Sequence, residues 1–355
     1  MDYKQLFNIP PTVRSRFEPA WQFIRRYRHI IFNILKIVVS IGLLTFIFKT
    51  IDLQEFWQTI QKANLWWLAT AVAVMMLGVV IRAFRWQVLL AAIGVSVSAT
   101  ELTLIYFIGF LFNNLLPSGL GGDAIRMVEL NRYAKRASDT VTSVIVDRFM
   151  GISALQVIAL AALVTNWGIV PAWIAYLTVG VFLAELVMGY LLTNRQLYLN
   201  LRTRLPLFYR LTNIKFIGNL FESFQRYPLP ALGRSFLISL IFNVTLIIMY
   251  AFIGWTVNAP VSMAQFAIIV PITSLLLLLP ISFGGVGVRE GSFLYFYMSI
   301  GVLEEMAVAM ALLVYIIGHI CPGVVGGIIY LWRSARGIAK EKMNNETMNN
   351  ETIKN

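Results

Sequence analysis

Six apolar runs, each long enough to cross a hydrocarbon core about 30 Å thick at about 1.5 Å of rise per residue, leave this chain few places to fold except a membrane. They occupy residues 30–48, 65–81, 141–164, 171–192, 236–257 and 306–332. Hydrophobic residues make up 58% of the 355, and charged residues 13%, too little charge to cover a soluble globule of that size. The net charge of +12 would suggest nucleic acid in a soluble protein. Here the basic residues lie between the apolar runs, which assigns them to topology and anionic lipid, with no nucleic-acid partner.

The single cysteine, Cys321, excludes an intrachain disulfide and any multi-cysteine metal site, and two histidines make a metal centre unexpected, so no cofactor is predicted. The N-terminal arginines followed by an apolar run without a small-residue cleavage site read as a retained start-transfer helix. Residues 1–29 form a basic cytoplasmic N-terminus, 30–335 the transmembrane domain, and 336–355 a polar, low-complexity tail expected to be disordered. The ATP-binding Gly-Lys loop, the His-Glu-x-x-His motif and the Gly-x-Ser-x-Gly elbow are all missing, so no ATPase or hydrolase is written into the chain.

Two further apolar runs, 102–116 and 264–279, are too short to span and stop at Pro117 and Pro280. Each then meets a glycine pair and resumes as a second short helix. Both breaks read Leu-Leu-Pro-x-x-x-Gly-Gly-x-x-x-Arg, ending at Arg126 and Arg289. The match points to an internal repeat; two ordinary loops that both need turn residues is the competing reading. The basic residues at the N-terminus, Arg82, Arg85, 126–136, 195–234 and 333–342 belong inside. The first hairpin then enters and leaves from the cytoplasm, and the second from outside. This predicts an all-α integral membrane fold of about eight elements, six spans plus two re-entrant hairpins. Its halves, 30–165 and 171–333, form an inverted repeat with both termini cytoplasmic in the cell (inner) membrane.

Backbone broken at membrane depth is tolerated where it lines a cavity. Helices starting after Gly121–Gly122 and Gly284–Gly285 present free N–H groups and a positive dipole end, and Arg126 and Arg289 sit one turn along. These six residues are the candidate phosphate site, with both arginines facing one shared cavity. The competing reading is that Asp123 caps its helix and pairs with Arg126, while Arg289 pairs with Glu290. Asp147 and Arg148 interrupt an apolar run, and Asp147 needs a partner, expected from an arginine of the first hairpin. Asp123, Asp147, Arg148 and Glu290 are therefore candidate gating ion pairs, with Glu185 a weaker candidate. Gly323-x-x-x-Gly327 reads as a packing face, Pro322 as a kink, and Trp66, Trp67, Trp86 and Trp332 as interface anchors. Arg202, Arg204 and Arg210 with Phe208 and Tyr209 suggest an amphipathic segment on the inner leaflet.

Pro117-Ser118-Gly119-Leu120-Gly121-Gly122-Asp123 with Arg126, Val146-Asp147-Arg148, and Pro280 with Gly284-Gly285-Val286-Gly287-Val288-Arg289-Glu290-Gly291 resemble the flippase-like domain family, the membrane region of lysylphosphatidylglycerol synthetase and its stand-alone relatives. The resemblance covers roughly residues 30–335. It implies lipid movement rather than aminoacylation, because the soluble lysyl-transfer domain of the full synthetase has no counterpart here. The expected partners are anionic or polyprenyl-phosphate lipids and, beyond them, a separate lipid-modifying enzyme. The leading expectation is a flippase for a phosphate-bearing lipid. The alternatives are an integral-membrane transferase using Asp123, Asp147 or Glu290 as base, or a non-catalytic partner of such an enzyme.

Overall fold

A computed structural model of the chain describes residues 42, 45, 52–115, 121–131, 133, 137–165, 167–168, 172–213, 221, 224–278 and 285–335. The run 30–48 (Gly42 and Thr45 apart), the basic N-terminus, the tail, and residues 116–120 and 279–284 lie outside them, Gly284 included. The elements are α1 Leu53–Gln61, α2 Leu65–Ala92, α3 Ala99–Leu115, α4 Gly121–Leu130, α5 Ala137–Thr165, α6 Ala172–Thr193, α7 Arg195–Arg204, α8 Pro206–Thr212, α9 Leu229–Thr256, α10 Met263–Leu278 and α11 Val288–Met298. The last, α12, runs Glu304–Ala335. Among the described residues the fold is all helical, and five helices (α2, α5, α6, α9, α12) are long and apolar enough to cross a membrane.

The central pair is α2 and α9, each of 28 residues. They run antiparallel: the Asn64 N–H donates to the Thr256 carbonyl at 2.9 Å, and Trp67 packs on Phe252 and Trp255. Both end in the same left-handed cap. Gly94 at φ +79° lets Val95 N–H reach the Leu90 carbonyl, and Asn258 at φ +57° lets Ala259 N–H reach the Gly254 carbonyl. Gly and Asn are the two residues that tolerate this backbone best.

Next to this pair, α3 and α4 form a helical hairpin. Glu101 at the start of α3 accepts from Tyr133 Oη beyond α4, so both legs end at one level. Phe266 near the start of α10 packs on Tyr297 near the end of α11, which closes the second hairpin likewise. Small residues let the legs and their neighbours touch. A side chain at Gly122 would strike the Gly109 carbonyl, one at Gly326 the Phe107 carbonyl, and one at Gly323 the Asn114 amide. The small-residue face predicted on α12 therefore packs on α3, with Gly326 at its closest point. Ahead of Pro322, Ile316–Ile320 widens into a π-turn, where Cys321 N–H bonds the Ile316 carbonyl. Proline lacks the N–H that would hold the tighter ladder there.

The set of helix contacts is preserved when α2, α3, α4 and α5 are exchanged with α9, α10, α11 and α12. Thus α3 packs on α2, α4 and the π-turn of α12, while α10 packs on α9, α11 and α5.

Three expectations need correction. Arg82 and Arg85 do not mark the end of a span: α2 continues to its cap at Ile93, and Arg85 is buried. Trp86 is fully buried rather than an interface anchor. Phe208 is half-buried and packs with Tyr198 and Phe221 in a second core cluster, so this ring faces the bundle, while Arg204, Tyr209 and Arg210 are exposed and Arg202 is half-buried.

Candidate functional site

A cavity of about 370 Å³ lies where the first hairpin meets α2, α5, α9, α10 and α12. Its charged wall consists of Arg82, Arg85, Asp123, Arg126, Asp147 and Arg148. Asp147 sits ten residues into α5, and Arg82 ten before the end of α2, so both lie about 15 Å from the same end of the bundle.

The charges form an alternating chain. Arg85 Nε donates to Asp147 Oδ1 at 2.7 Å, and Arg126 Nη2 donates to Asp147 Oδ2 at 3.0 Å. Arg126 Nη1 reaches Asp123 Oδ1 at 3.2 Å, and Arg148 Nε closes on Asp123 Oδ2. Each carboxylate thus bridges two guanidinium groups, and Asp147 also accepts from Tyr106 Oη at 2.6 Å. A buried carboxylate is stable only with such a set of donors. The Arg126 guanidinium lies over the Trp86 and Tyr106 rings, 4.2 and 3.8 Å from their centroids. Trp86 is held in turn by its indole N–H on Ser143 Oγ. Arg85 has room because residue 151 is glycine: a Cβ there would stand 2.7 Å from Arg85 Nη1. That same Nη1 donates to Ser239 Oγ at 3.2 Å.

Arg82 is different. It rests against the rings of Phe242, Phe110 and Tyr106, at 4.6, 5.0 and 5.7 Å, with no carboxylate in ion-pair reach among the described residues. Its Nε is buried and has no hydrogen-bond partner.

The other predicted residues are placed as follows. Asp147 meets Arg126, an arginine of the first hairpin. Gly121 and Gly122 are buried at the start of α4, but Gly122 N–H donates to Asn113 Oδ1 at 2.7 Å, so this donor is engaged by the other leg of its own hairpin. Arg289 is 2% exposed and lies over the Tyr315 ring at 4.6 Å, beside the cavity rather than in its wall. The tight neighbour on that side is its own Gly285, at φ +81°: a Cβ there would stand 3.3 Å from Arg289 Nη2. Glu290 reaches back to cap Gly287 N–H at 2.6 Å and lies 4.0 Å from Arg289, so it caps its helix rather than forming a close ion pair. Glu185 lies on α6, away from the cavity wall.

Sequence reasoning missed Arg82, Arg85 and Tyr106. The signal was available: two arginines three residues apart, followed by eight mostly apolar residues and a Gly at position 94, describe a helix that continues with both cations on one face. Among the described residues no group of His, Cys, Asp and Glu is placed to hold a metal ion.

Residues 33–326 match the family described as the lysylphosphatidylglycerol synthase TM region. A UPF0104 membrane protein, PH1989, of Pyrococcus horikoshii is 22% identical over 322 residues, covering 84% of this chain and 96% of that protein. The chain belongs to the lysylphosphatidylglycerol synthase TM-region family.

Proposed function

Starting from that membership, we propose that the protein moves a phosphate-bearing lipid between leaflets, with the headgroup passing through the arginine-lined cavity. The observation that carries this reading is the charge count of the wall. Four guanidinium groups face two carboxylates, an excess of two positive charges at membrane depth. Buried charge of one sign is costly, and an anionic ligand relieves it. Phosphate oxygens match the arginine fork, and the apolar wall formed by Met75, Phe242, Leu246, Met249, Leu277 and Val314 suits hydrocarbon.

The paired contacts of the two halves support an inverted repeat with two re-entrant hairpins. The basic residues support its orientation: Arg195, Arg202, Arg204, Arg210, Arg226, Arg234 and Arg333 gather at one end, against Lys62 among the described residues of the other. That end is the cytoplasmic one, as befits a multi-pass protein of the cell membrane with both termini inside. Asp147 and Asp123 are the switchable partners. In one state they hold Arg85, Arg126 and Arg148; in the other, lipid phosphate takes Arg126 and the first hairpin moves against α2 and α5. Gly121 and Gly122 shape this site through the hairpin crossing. Arg289, with Gly285, supports the second hairpin at the cavity's edge. The transferase reading is disfavoured, since its three candidate bases, Asp123, Asp147 and Glu290, are all engaged by donors.

The test is reconstitution in liposomes with a fluorescent phosphatidylglycerol and an impermeant quencher. Faster leaflet exchange than in protein-free vesicles, reduced in Arg126→Gln, is expected. No exchange by correctly inserted protein, with or without a membrane potential or proton gradient, would favour a non-catalytic partner of a separate lipid-modifying enzyme.

A further inference from the structure

Building on the proposed lipid site, we infer that the cavity takes headgroups of net negative charge and rejects headgroups that also carry an ammonium, with Arg82 setting the preference. An ammonium needs an acceptor with free lone pairs, and a carboxylate is the only strong one available at membrane depth. Both carboxylates in the wall already bridge two arginines each, and Asp147 accepts a third bond from Tyr106. The other polar side chains of the wall, Asn113, Asn243, Tyr250, Ser274 and His319, offer lone pairs but no negative charge to balance an ammonium. The Asn113 carbonyl oxygen accepts from Gly122 N–H, and the Asn243 amide and Ser274 hydroxyl donate to the Gly151 and Val270 carbonyls. An amine entering here would meet four guanidinium groups and no unshared carboxylate.

For an anion the balance is reversed. Three arginines and two aspartates make up the alternating chain, and Arg82 stands outside it, lining the cavity against the Phe242, Phe110 and Tyr106 rings with its Nε unpartnered. Rings of this kind hold a guanidinium in place without neutralising it. The second excess charge belongs to the chain itself, which yields a donor whenever Arg126 releases a carboxylate. A headgroup with a bare phosphate satisfies both positions. A zwitterionic headgroup satisfies them only by placing its amine among cations.

The test uses the full-length chain in detergent, with binding measured by displacement of a fluorescent phosphatidylglycerol. The competitors are phosphatidic acid, phosphatidylglycerol, phosphatidylethanolamine, lysyl-phosphatidylglycerol and inorganic phosphate. Because binding is read directly, the result holds whether or not leaflet exchange is found, so failure of the transport reading is seen separately. The two anionic lipids are expected to bind at least about tenfold more tightly than the two amine-bearing ones, the scale of one charge-assisted hydrogen bond. Arg82→Gln should collapse that ratio toward unity, and Arg82→Lys should restore most of it. Equal binding of the amine-bearing lipids, or an unchanged ratio in a folded Arg82→Gln variant, would overturn the inference. Displacement by inorganic phosphate as strong as by phosphatidic acid would overturn the lipid as the source of the anion and assign the site to soluble phosphate.

Discussion

Replacing Asp147 by Asn should destabilise the bundle by about 3 kcal/mol or more, the range found when one partner of a buried ion pair is removed. The side chain is 2% exposed and receives Arg85 at 2.7 Å, Arg126 at 3.0 Å and Tyr106 at 2.6 Å. Asparagine keeps the volume and one carbonyl oxygen, so a single neutral acceptor remains for three donors. Its amide nitrogen also faces a guanidinium. The loss falls on the cations: Arg85 and Arg126 stay buried with their main counter-charge gone. Removing Arg85 as well relieves part of that penalty, so Asp147→Asn with Arg85→Met should cost less than the sum of the single changes, by about 1–3 kcal/mol. Reversible unfolding in mixed micelles, run as a double-mutant cycle, measures this. Additive changes, or an Asp147→Asn variant within about 0.5 kcal/mol of the parent, would refute the reasoning, since distant sites behave that way.

Gly122→Ala should lower stability by about 1–3 kcal/mol or more by forcing α3 and α4 apart at the Gly109 carbonyl, checked by the same unfolding assay. Gly326→Ala should do the same at the α3–α12 crossing, and there it should also raise exchange of α3 amides in hydrogen-exchange mass spectrometry. Gly151→Ala places a methyl 2.7 Å from Arg85 Nη1; the expected result is a loss of lipid binding larger than its loss of stability, compared by displacement and unfolding on one preparation. With Cys321 replaced by Ser, single cysteines at Asn258 and Gly301 should react with an impermeant reagent on intact cells, while those at Asn131 and Arg204 should react only after lysis. Reaction at Asn131 from outside would break the re-entrant topology of the first hairpin.

Much of the fold is legible in the sequence because membrane helices announce themselves by length and apolarity. The runs at 65–81, 141–164, 171–192, 236–257 and 306–332 all fall within α2, α5, α6, α9 and α12, apart from single residues at their ends. Helix ends are less legible where charge lies inside the bundle. Rules for cations at membrane borders assume that an arginine seeks water, whereas Arg85 finds Asp147, 62 residues away in sequence. Nothing local in either residue's neighbourhood discloses that pairing. Asp147 is the exception: a short, charged side chain two turns into an apolar run cannot reach water, so its need for an arginine follows from chain geometry alone. The repeated glycine motif misleads in one respect. It places Arg126 and Arg289 at matching positions, but their partners differ. Arg126 reaches Asp147 and Asp123 within 3.2 Å, while Arg289 lies over the Tyr315 ring with Glu290 at 4.0 Å, so equal spacing yields unequal surroundings. Likewise, a glycine N–H at a helix start reads as free until the amide of Asn113 on the facing leg is in view.

The central claim, that lipid phosphate occupies the arginine-lined cavity in the membrane, is tested most directly by photo-crosslinking in native membranes. A photoreactive amino acid at Leu246, in the cavity wall, is compared with one at Leu186, exposed on α6, and the lipid adducts are identified by mass spectrometry. Adducts at Leu246 should be enriched in anionic phosphate lipids over the bulk membrane and should fall several-fold in Arg82→Gln and Arg126→Gln backgrounds, while adducts at Leu186 follow bulk composition in every background. Adducts of bulk composition at Leu246, unchanged by either arginine substitution, would contradict the account.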